Sequence, residues 1–279
     1  MSVTRQPADP TVRSLAHRQQ IAWHGHPVHQ LVYPISGVLQ VSTEKGSWIV
    51  PPHRAVWIPA HIAHAHQAHG PTEMRALKFD VPNPLAGDAP TVLSVSPLLR
   101  EVVRALTDDD ARTDQHRHHL ELVALDELRG VEALPFGLPA PHDPRLVDLA
   151  RILAEDPADP RSLPQLGRAV GASSRTLSRL FREQTGLTFP QWRTQLRLHH
   201  ALKLLAGGTP VTRVAADCGY RSPSAFIESF RLAFGTTPGR SAYLGATPRP
   251  HVAVSAPRGP VTGRTIGGRQ AYVTTVPGG

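Results

Sequence analysis

The 279-residue chain has few of the features that mark secreted or membrane proteins. Its single cysteine, Cys218, rules out a disulfide within the chain, which fits the reducing cytoplasm. No apolar run approaches the roughly 18–20 residues that a membrane-spanning helix needs. The opening residues, MSVTRQPADP, also lack the apolar core of a secretory signal peptide. These absences predict a cytoplasmic protein.

Acidic residues are scarce in the C-terminal half, so the net charge of +8 is unevenly spread. Residues 1–144 carry 12 Lys/Arg and 15 Asp/Glu, residues 145–244 carry 14 and 7, and residues 245–279 carry four and none. The C-terminal excess is almost entirely arginine, which indicates a polyanionic partner. Histidine is distributed in the opposite way, because 13 of the 16 precede residue 145. The two halves are therefore expected to have different functions.

Residues 1–90 are predicted to form a β-domain. From residue 28 to about 80, short β-type runs such as VHQLVYPI, VLQVS and SWIV are separated by turn residues. Such close spacing is typical of a sandwich or barrel rather than of βαβ units. Within residues 91–133, two stretches, 97–106 and 116–131, have apolar positions at helical spacing. These helices either pack back onto the β-domain or form a dimer seam, and both interpretations stay open.

The rest of the chain is predicted to be helical up to residue 244. Residues 134–144 are rich in proline and are predicted to be a linker. Residues 145–244 contain repeated helix-start signals, among them Ser162 followed by Gln165 in the spacing of a capping box. Residues 245–279 are rich in glycine, proline and threonine, which predicts a disordered tail.

The helical half contains an internal repeat. LGRAVGAS (166–173) and VAADCGYR (214–221) match at an offset of 48 residues, with Gly171 and Gly219 at equivalent positions. Beyond the turn the offset becomes 49, and the matching pairs are Leu177 with Phe226, Phe181 with Phe230, Gly186 with Gly235, and Thr188 with Thr237. Each copy predicts a short helix, a turn with glycine and a second helix with an apolar stripe. This is the pattern of a helix-turn-helix, whose second helix enters a DNA groove.

The stretch LSRLFREQTGLTFPQWRTQLRLHHALKLLAGGTPVTRVAADCGYRSPSAFIESFRLAFGTTPGRSAY resembles the tandem helix-turn-helix domain of AraC/XylS-type transcription regulators. The resemblance covers about 162–244, including the pair Gly219-Tyr220 and the Phe-Arg-x-x-Phe-Gly run that ends at Gly235. The N-terminal half is similar to the cupin sensor domain of one subgroup. The implied fold is α+β and multidomain: a cupin-like β-barrel (a double-stranded β-helix) with helices, then an all-α tandem helix-turn-helix.

By this resemblance, the first reading helix spans about 174–184, and Arg175, Ser178 and Arg179 face the DNA bases. The residues themselves agree, because these three positions and Arg182 form one polar stripe along a helix. Arginine can hydrogen-bond guanine through two donors at once. The alternative is that these are solvated surface arginines.

In the second reading helix, 223–234, the stripe that faces DNA contains Ser224, Ala225 and Glu228. This departs from the family's tendency towards basic or amide residues. Glu228 either accepts a hydrogen bond from a cytosine amino group or repels phosphates. The second copy is therefore expected to read fewer bases than the first.

Three further arginines, Arg182, Arg197 and Arg231, suit contacts with DNA phosphates. Such contacts set the register of the protein on DNA but carry no sequence information. The helix that joins the copies is predicted over 189–205, and its Trp192 is expected to anchor the core.

The N-terminal histidines match the metal-ligand motifs of cupins in part. His24 and His26 are followed by Gln30 where the family usually has Glu, and His64 follows a turn in which His61 replaces the usual Gly. Three imidazoles and a carbonyl oxygen suit Zn, Fe, Ni or Co. The same residues could instead hydrogen-bond an organic effector, or be structural. Three other histidines are expected on the opposite face or in loops: His29, His66 and His69.

Together these observations favour a transcription regulator, activator or repressor, that binds double-stranded operator DNA and responds to a small molecule or metal in the cupin domain. RNA polymerase is the expected protein partner, and a homodimer is compatible with the helical stripes. The main alternative is a metal-dependent cupin enzyme with a DNA-binding appendage, but the missing acidic ligand argues against an enzyme. A non-specific architectural protein is a third alternative, which predicts little preference for operator over random DNA.

Overall fold

The computed structural model describes residues 12–85, 87–108, 113–130, 133–134 and 137–239. The strands of this part are β1 (Val12–Leu15), β2 (Gln20–His24), β3 (His29–Thr43), β4 (Gly46–Val50), β5 (Arg54–Ile58), β6 (His64–Phe79), β7 (Thr91–Ser94), β8 (Ala133–Leu134) and β9 (Gly137–Pro139). The helices are α1 (Pro97–Thr107), α2 (Asp114–Arg129), α3 (Pro144–Glu155), α4 (Leu163–Ala169), α5 (Ser174–Thr185), α6 (Phe189–Ala206), α7 (Val211–Asp217) and α8 (Pro223–Phe234). Among the described residues, no helix combines the length and the apolar character needed to cross a bilayer.

The long antiparallel pair β3 and β6 organises the sheet. Its register begins with His29 opposite Phe79, ends with Thr43 opposite His64, and is irregular between Pro34 and Val38. Pro34 has no N–H to give to the ladder, and register irregularities bend strands. Before the bend, β5 pairs with β3 and β1 with β6, and β7 extends the sheet beyond β5. After the bend, β4 pairs with β3 and β2 with β6, and β9 extends the sheet beyond β4.

The bent sheet encloses an apolar core. Residues from both sides of the bend share it: Leu15, Val32, Leu39, Val41, Trp48, Val50, Val56, Ile58, Ala68, Met74 and Val92. The pairing path runs β1-β6-β3-β5-β7-β8, and within the described ranges its two end strands do not pair with each other. The predicted α+β organisation is confirmed, but the predicted closed barrel is not found. The bend brings the faces of the sheet together and leaves its edges open.

Helices α1 and α2 pack onto the β-domain, which is one of the two alternatives left open by the sequence. Their buried residues share a core with Leu31, Tyr33 and Trp57 of the sheet; they are Leu99, Val102, Val103, Leu106, Ala124, Leu125 and Leu128. Arg75 of β6 adds a polar link, since its Nη1 donates to Asp108 Oδ1 (2.5 Å) at the end of α1. Leu98 of the predicted stripe remains 53% exposed.

The segment predicted as a linker contains structure. β9 pairs with β4, with Gly46 opposite Pro139 and Trp48 opposite Gly137. Gly137 lies so close to the indole that a Cβ there would stand 2.7 Å from Trp48 Nε1. Soon after β9, Asp143 caps α3 by accepting from Arg145 N. The predicted tail, 245–279, lies outside the described residues.

The predicted repeat is present in the backbone. The two turns contain Gly171 (φ 65°) and Gly219 (φ 70°), both in the left-handed region that glycine adopts readily. The two second helices, α5 and α8, end at Gly186 (φ 70°) and Gly235 (φ 71°). The capping box between Ser162 and Gln165 is also present. These agreements confirm a tandem helix-turn-helix.

Helix α6 joins two apolar cores. Its first half belongs to a core with α3, α4 and α5, and its second half to a core with α7 and α8. Trp192 is buried in the first core and its Nε1 donates to the carbonyl of Pro139 (3.4 Å), which confirms the predicted anchor. Cys218 is buried in the second core, where burial raises the pKa of its thiol to about 12. Its side chain is therefore inert packing.

Candidate DNA-reading surface and histidine cavity

Helix α5 presents its polar stripe to solvent. The helix begins after Ser173, whose Oγ accepts from Thr176 N (3.1 Å), and its apolar residues Leu177, Leu180 and Phe181 are buried. On the opposite face, the residues predicted to read DNA are exposed or, for Ser178, half-buried; they are Arg175, Ser178, Arg179 and Arg182. The structure thus places all four predicted side chains on one accessible face.

Arg179 has a partner that sequence reasoning missed. Its Nη1 donates to Glu183 Oε2 at 2.6 Å, and both side chains are more than half exposed. Exposed ion pairs of this kind contribute only about 0–1 kcal/mol, so exchange of Glu183 for a base or phosphate acceptor costs little. The i,i+4 spacing of the two residues was the signal that would have identified the pair.

Helix α8 presents a different surface. Ser224, Ala225 and Glu228 are exposed, as predicted for its outer face. Arg231 donates to both Glu228 oxygens, at 3.1 Å through Nε and 2.9 Å through Nη2, and this pairing lowers the pKa of Glu228. The Glu228 carboxylate therefore stays ionised while Arg231 balances its charge, and this pairing competes with a phosphate contact by Arg231.

Arg197 has partners within the protein that the sequence did not predict. It is half-buried, its Nε donates to the carbonyl of Pro157 (3.0 Å), and its guanidinium lies 5.9 Å from the centre of the Tyr220 ring. A Cβ on Gly219 would lie 2.7 Å from its Nη2. Arg197 thus links the loop after α3 to the second turn, and the phosphate contact predicted for it stays a prediction. Its position on α6 faces the neighbouring helices, which the local sequence did not reveal.

Three histidines converge where β2 ends and β6 begins. His24 lies directly opposite His64 in the ladder, and His66 follows two residues later on the same face of β6. The ring centres are 4.3 Å apart for His24 and His64, 5.1 Å for His64 and His66, and 5.6 Å for His24 and His66. One ring nitrogen of each lies within 4.8 Å of the others. His66 was expected on the opposite face; that prediction is wrong, because residues two apart in a strand share a face.

Backbone carbonyls and burial determine the state of these imidazoles. His24 Nδ1 lies 2.7 Å from the carbonyl oxygen of Ala22, and His64 Nδ1 lies 2.8 Å from that of Ile62. A carbonyl only accepts, so each Nδ1 carries a proton, and in the neutral form of either ring Nε2 keeps its lone pair. Burial lowers the pKa of His64 to about 4 and that of His66 well below its usual value. These two rings are therefore neutral near pH 7.

The other predicted pocket residues adjoin this cluster. The ring centre of His26 lies 5.0 Å from that of His24 and 5.6 Å from that of His64, and Gln30 is buried in β3. His24, His26, Gln30 and His66 line a cavity of about 320 Å³, together with residues that include Arg13, Trp23 and Met74. The sequence therefore predicted a real cluster, but it omitted His66.

The remaining histidines have other roles. His29 accepts a hydrogen bond from Ala60 N (3.0 Å) and stacks on Trp57, away from the cavity. His69 Nε2 bonds Gln40 Oε1 (3.1 Å), and burial together with the nearby Lys203 lowers its pKa to about 4. His61 adopts a φ of 65°, so the turn keeps the conformation that glycine would take there.

The second helix-turn-helix copy contacts the β-domain, which sequence reasoning did not anticipate. Val38 and Ile49 of the sheet share an apolar core with Phe230. The buried Arg54 of β5 donates through Nη1 to Ser94 Oγ and through Nη2 to the carbonyl of Phe234 (3.2 Å), the last residue of α8. A buried arginine inside the apolar run RAVWI was the available signal, since such a charge needs a buried acceptor.

Comparisons with known proteins find relatives among helix-turn-helix transcription regulators. A family described as "Helix-turn-helix domain" matches residues 166–242. The HTH-type transcriptional regulator NimR of Escherichia coli K12 is 34% identical over 240 residues, which are 84% of this chain and 87% of NimR. The activator RhaR of Pectobacterium atrosepticum is 32% identical over 152 residues, 52% of each chain. A solved AraC-type regulator from Chromobacterium violaceum is 27% identical, with a TM-score of 0.35 over 38% of this chain and 96% of that one.

Proposed function

Since the chain belongs to the AraC/XylS-type family of helix-turn-helix transcription regulators, we propose that an effector in the histidine-lined cavity controls how its two reading helices hold an operator. The chain is a DNA-binding transcription regulator. In this proposal, separate sets of residues read the DNA bases, bind the DNA phosphates and respond to the effector.

The exposed arginine face of α5 carries the proposal for DNA reading. We assign Arg175, Ser178 and Arg179 to the bases, because they project from one face of a helix fixed by a capped start and a buried apolar stripe. Ser224 and Glu228 of α8 are assigned a smaller share of base reading. Phosphate contacts are assigned to Arg182 and, by exchange of its Glu228 partner, to Arg231.

The shared strands β3 and β6 support effector control. β3 contributes Gln30 to the cavity and Val38 to the core of the second copy. β6 contributes His66 to the cavity, and His69, near Lys203 of α6, lies only three residues further on. An effector that binds one arrangement of these strands more tightly than another will shift the second copy with them. RNA polymerase and a second copy of the chain are the protein partners we expect for such a regulator.

The cavity is proposed as a sensing site rather than as a catalytic one. The described residues that line it include neither Asp nor Glu. The buried His64 and His66 are weak bases, because burial lowers their pKa values. The enzyme alternative predicts turnover of a small substrate, whereas the proposal predicts binding without turnover.

Selection of binding sites from random duplex DNA, with the full chain and one fixed salt concentration, tests DNA reading. We expect the selected duplex to bind at least about 10³-fold more tightly than a scrambled duplex of equal length. The double variant Arg175→Ala/Arg179→Ala is expected to lose most of that ratio. Arg151→Ala is the matched control, because Arg151 is an exposed arginine of α3 that pairs with Asp148 and Glu155. Equal affinity for both duplexes, or a ratio unchanged in the double variant, contradicts the proposal.

A further inference from the structure

We propose that His24, His64 and His66 bind one divalent transition-metal ion of the zinc type, and that this ion forms the floor of the effector cavity. The inference deepens the proposed function and rests on it in one respect, the role of the cavity as a sensing site. It also changes the ligand set expected from the sequence, because His66 takes the place of His26.

The positions of the three ring nitrogens carry the proposal. All three lie within 4.8 Å of one another. Tetrahedral ligands with metal–nitrogen bonds of 2.0–2.1 Å stand about 3.4 Å apart, so small side-chain rotations suffice to close the set around an ion. The strand pairing holds them there, because His24 and His64 are ladder partners and His66 is on the same face of β6.

The partners of the outer nitrogens orient two of the rings. His24 and His64 each direct Nδ1 at a backbone carbonyl oxygen, of Ala22 at 2.7 Å and of Ile62 at 2.8 Å. This is the arrangement that fixes the tautomer of metal-binding histidines and leaves Nε2 as the ligand atom. Both carbonyls are two residues before their histidine, so the local backbone builds this orientation.

Two buried nitrogens indicate a ligand that accepts electron pairs, such as a metal ion. His64 Nε2 and His66 Nδ1 are inaccessible to solvent and have no hydrogen-bond partner in the described part of the chain. Their side chains are also almost fully buried, with 1% and 3% exposure. Because a ring nitrogen of His24 lies within 4.8 Å of a nitrogen of each of these two rings, one cation satisfies all three histidines at once. A single hydrogen-bond donor does not.

The donor set determines the class of metal. Three neutral imidazoles without a carboxylate or thiolate suit Zn²⁺, Co²⁺, Ni²⁺ or Cu²⁺ and do not suit Ca²⁺ or Mg²⁺, which prefer oxygen ligands. Three protein ligands leave a coordination position open. The neighbouring His26 and Gln30 line the same cavity as His24 and His66. The ion therefore offers the effector a point of attachment, and His26 stands beside it rather than among the ligands.

Metal titration of the untagged full chain, stripped with a chelator and then dialysed, tests the site. Co²⁺ and Zn²⁺ are the probes, with binding followed by calorimetry and by the visible absorption of bound Co²⁺. We expect one ion per chain. His64→Gln and His66→Gln, which keep a polar side chain of similar size, are expected to weaken binding by more than about 100-fold, beyond the loss caused by removing an outer partner.

Two controls separate this site from other histidines. His26→Gln is expected to change metal affinity by less than about tenfold, which is the smallest loss usual when an outer partner of a ligand is removed. His118→Gln is expected to leave metal affinity unchanged, because His118 belongs to an exposed histidine pair on α2. Circular dichroism and operator binding of each variant show whether it is folded. A stoichiometry near zero, or affinity that survives both His64→Gln and His66→Gln, overturns the metal site. If the chain binds no metal there but still prefers the operator to scrambled DNA, the proposed DNA-reading function stands without the metal site. If the chain binds the metal but shows no such preference, the metal site stands and the proposed function fails.

Discussion

The first helix-turn-helix copy, Leu163–Thr185, and the second, Val211–Phe234, turn at glycines with φ values of 65° and 70° and end at glycines with φ values of 70° and 71°. Their backbones are alike, whereas their surfaces differ. The first copy contains four arginines and one glutamate, and the second contains three arginines and two acidic residues. The arginines of α5 face solvent, while Glu228 and Arg231 of α8 neutralise each other.

The two copies also pack against different parts of the molecule. Phe181 of the first copy lies in a core made of helices and of Leu138 from β9. Phe230 of the second copy lies in a core that extends to Val38 and Ile49 of the sheet, and Arg54 holds the end of α8. The duplicated unit thus presents two kinds of surface: the first copy exposes an arginine-rich face on α5, and the second copy packs against the β-domain.

The largest expected effects come from removing one buried ring in each copy. Phe181→Ala and Phe230→Ala are each expected to lower the free energy of unfolding by about 3–5 kcal/mol, the usual cost of such a cavity. Only Phe230→Ala should also speed amide exchange in β4, because Ile49 shares its core. Urea denaturation and hydrogen exchange measure the two effects. Equal exchange of β4 in both variants contradicts the contrast between the copies.

The next largest effect concerns DNA. Arg179→Ala is expected to weaken operator binding by about 1–3 kcal/mol, or roughly 5- to 150-fold, if the guanidinium reads a guanine. Glu228→Ala is expected to change affinity by less than about threefold, because Arg231 already balances its charge. Fluorescence anisotropy at one salt concentration measures both. A larger loss for Glu228→Ala than for Arg179→Ala reverses the assignment of the copies.

Features set by local sequence could be predicted closely. The helix predicted over 174–184 is found at Ser174–Thr185, and that predicted over 223–234 is found at Pro223–Phe234. Capping residues, turn glycines and an apolar stripe within a dozen residues define such helices, and the repeat supplied each signal twice. The exposed polar face of α5 followed from the same apolar stripe, since it lies opposite the buried residues.

Features set by distant contacts were missed. The hydrogen bond from Arg54 to Phe234 joins residues 180 positions apart. The contacts of Arg197 with Pro157 and Tyr220 also depend on how distant segments pack. Sheet closure likewise depends on which edges meet, and no single strand sequence encodes that. His66 is a different case: the two-residue period of a strand already placed it beside His64.

Acid should loosen the second copy from the β-domain. Burial lowers the pKa of His53, whose ring packs against Phe234, and that of His69, next to Lys203, each to about 4. The unfolded chain, with a histidine pKa near 6.5, therefore binds more protons than the folded chain between pH 6.5 and 4. The contribution of these histidines to the free energy of unfolding is constant above about pH 7. Below pH 6.5 the free energy of unfolding falls by up to about 1.4 kcal/mol per histidine for each pH unit.

Hydrogen exchange at pH 7 and pH 5, corrected for the intrinsic pH dependence of exchange, measures this loosening. Protection of α8 is expected to fall more than that of α5. The variant His53→Gln lacks one of these two titrating rings, the one that packs against Phe234, so its α8 should lose less protection between the two pH values. Parallel loss in α5 and α8 excludes a local effect of these histidines.

The smallest effects test the two helix ends. Gly186→Ala and Gly235→Ala place a side chain at φ 70° and 71°, and apart from the adjacent residues no described atom lies within 4 Å of the added Cβ at either position. Left-handed backbone alone costs about 1–2 kcal/mol in each case. Gly235 follows Phe234, whose carbonyl accepts from Arg54. Any relaxation of the backbone there also disturbs that hydrogen bond, so Gly235→Ala should cost at least about 0.5 kcal/mol more.

A double-mutant cycle with Arg54→Met isolates this excess. Once the guanidinium is gone, the two alanine substitutions should lower the free energy of unfolding by equal amounts, because their backbones are alike. Urea denaturation of the six proteins in the cycle measures the difference. An excess at Gly235 that survives in the Arg54→Met background shows that the end of α8 differs from that of α5 for a reason within the helix itself. The β-domain would then not be what distinguishes the second copy from the first.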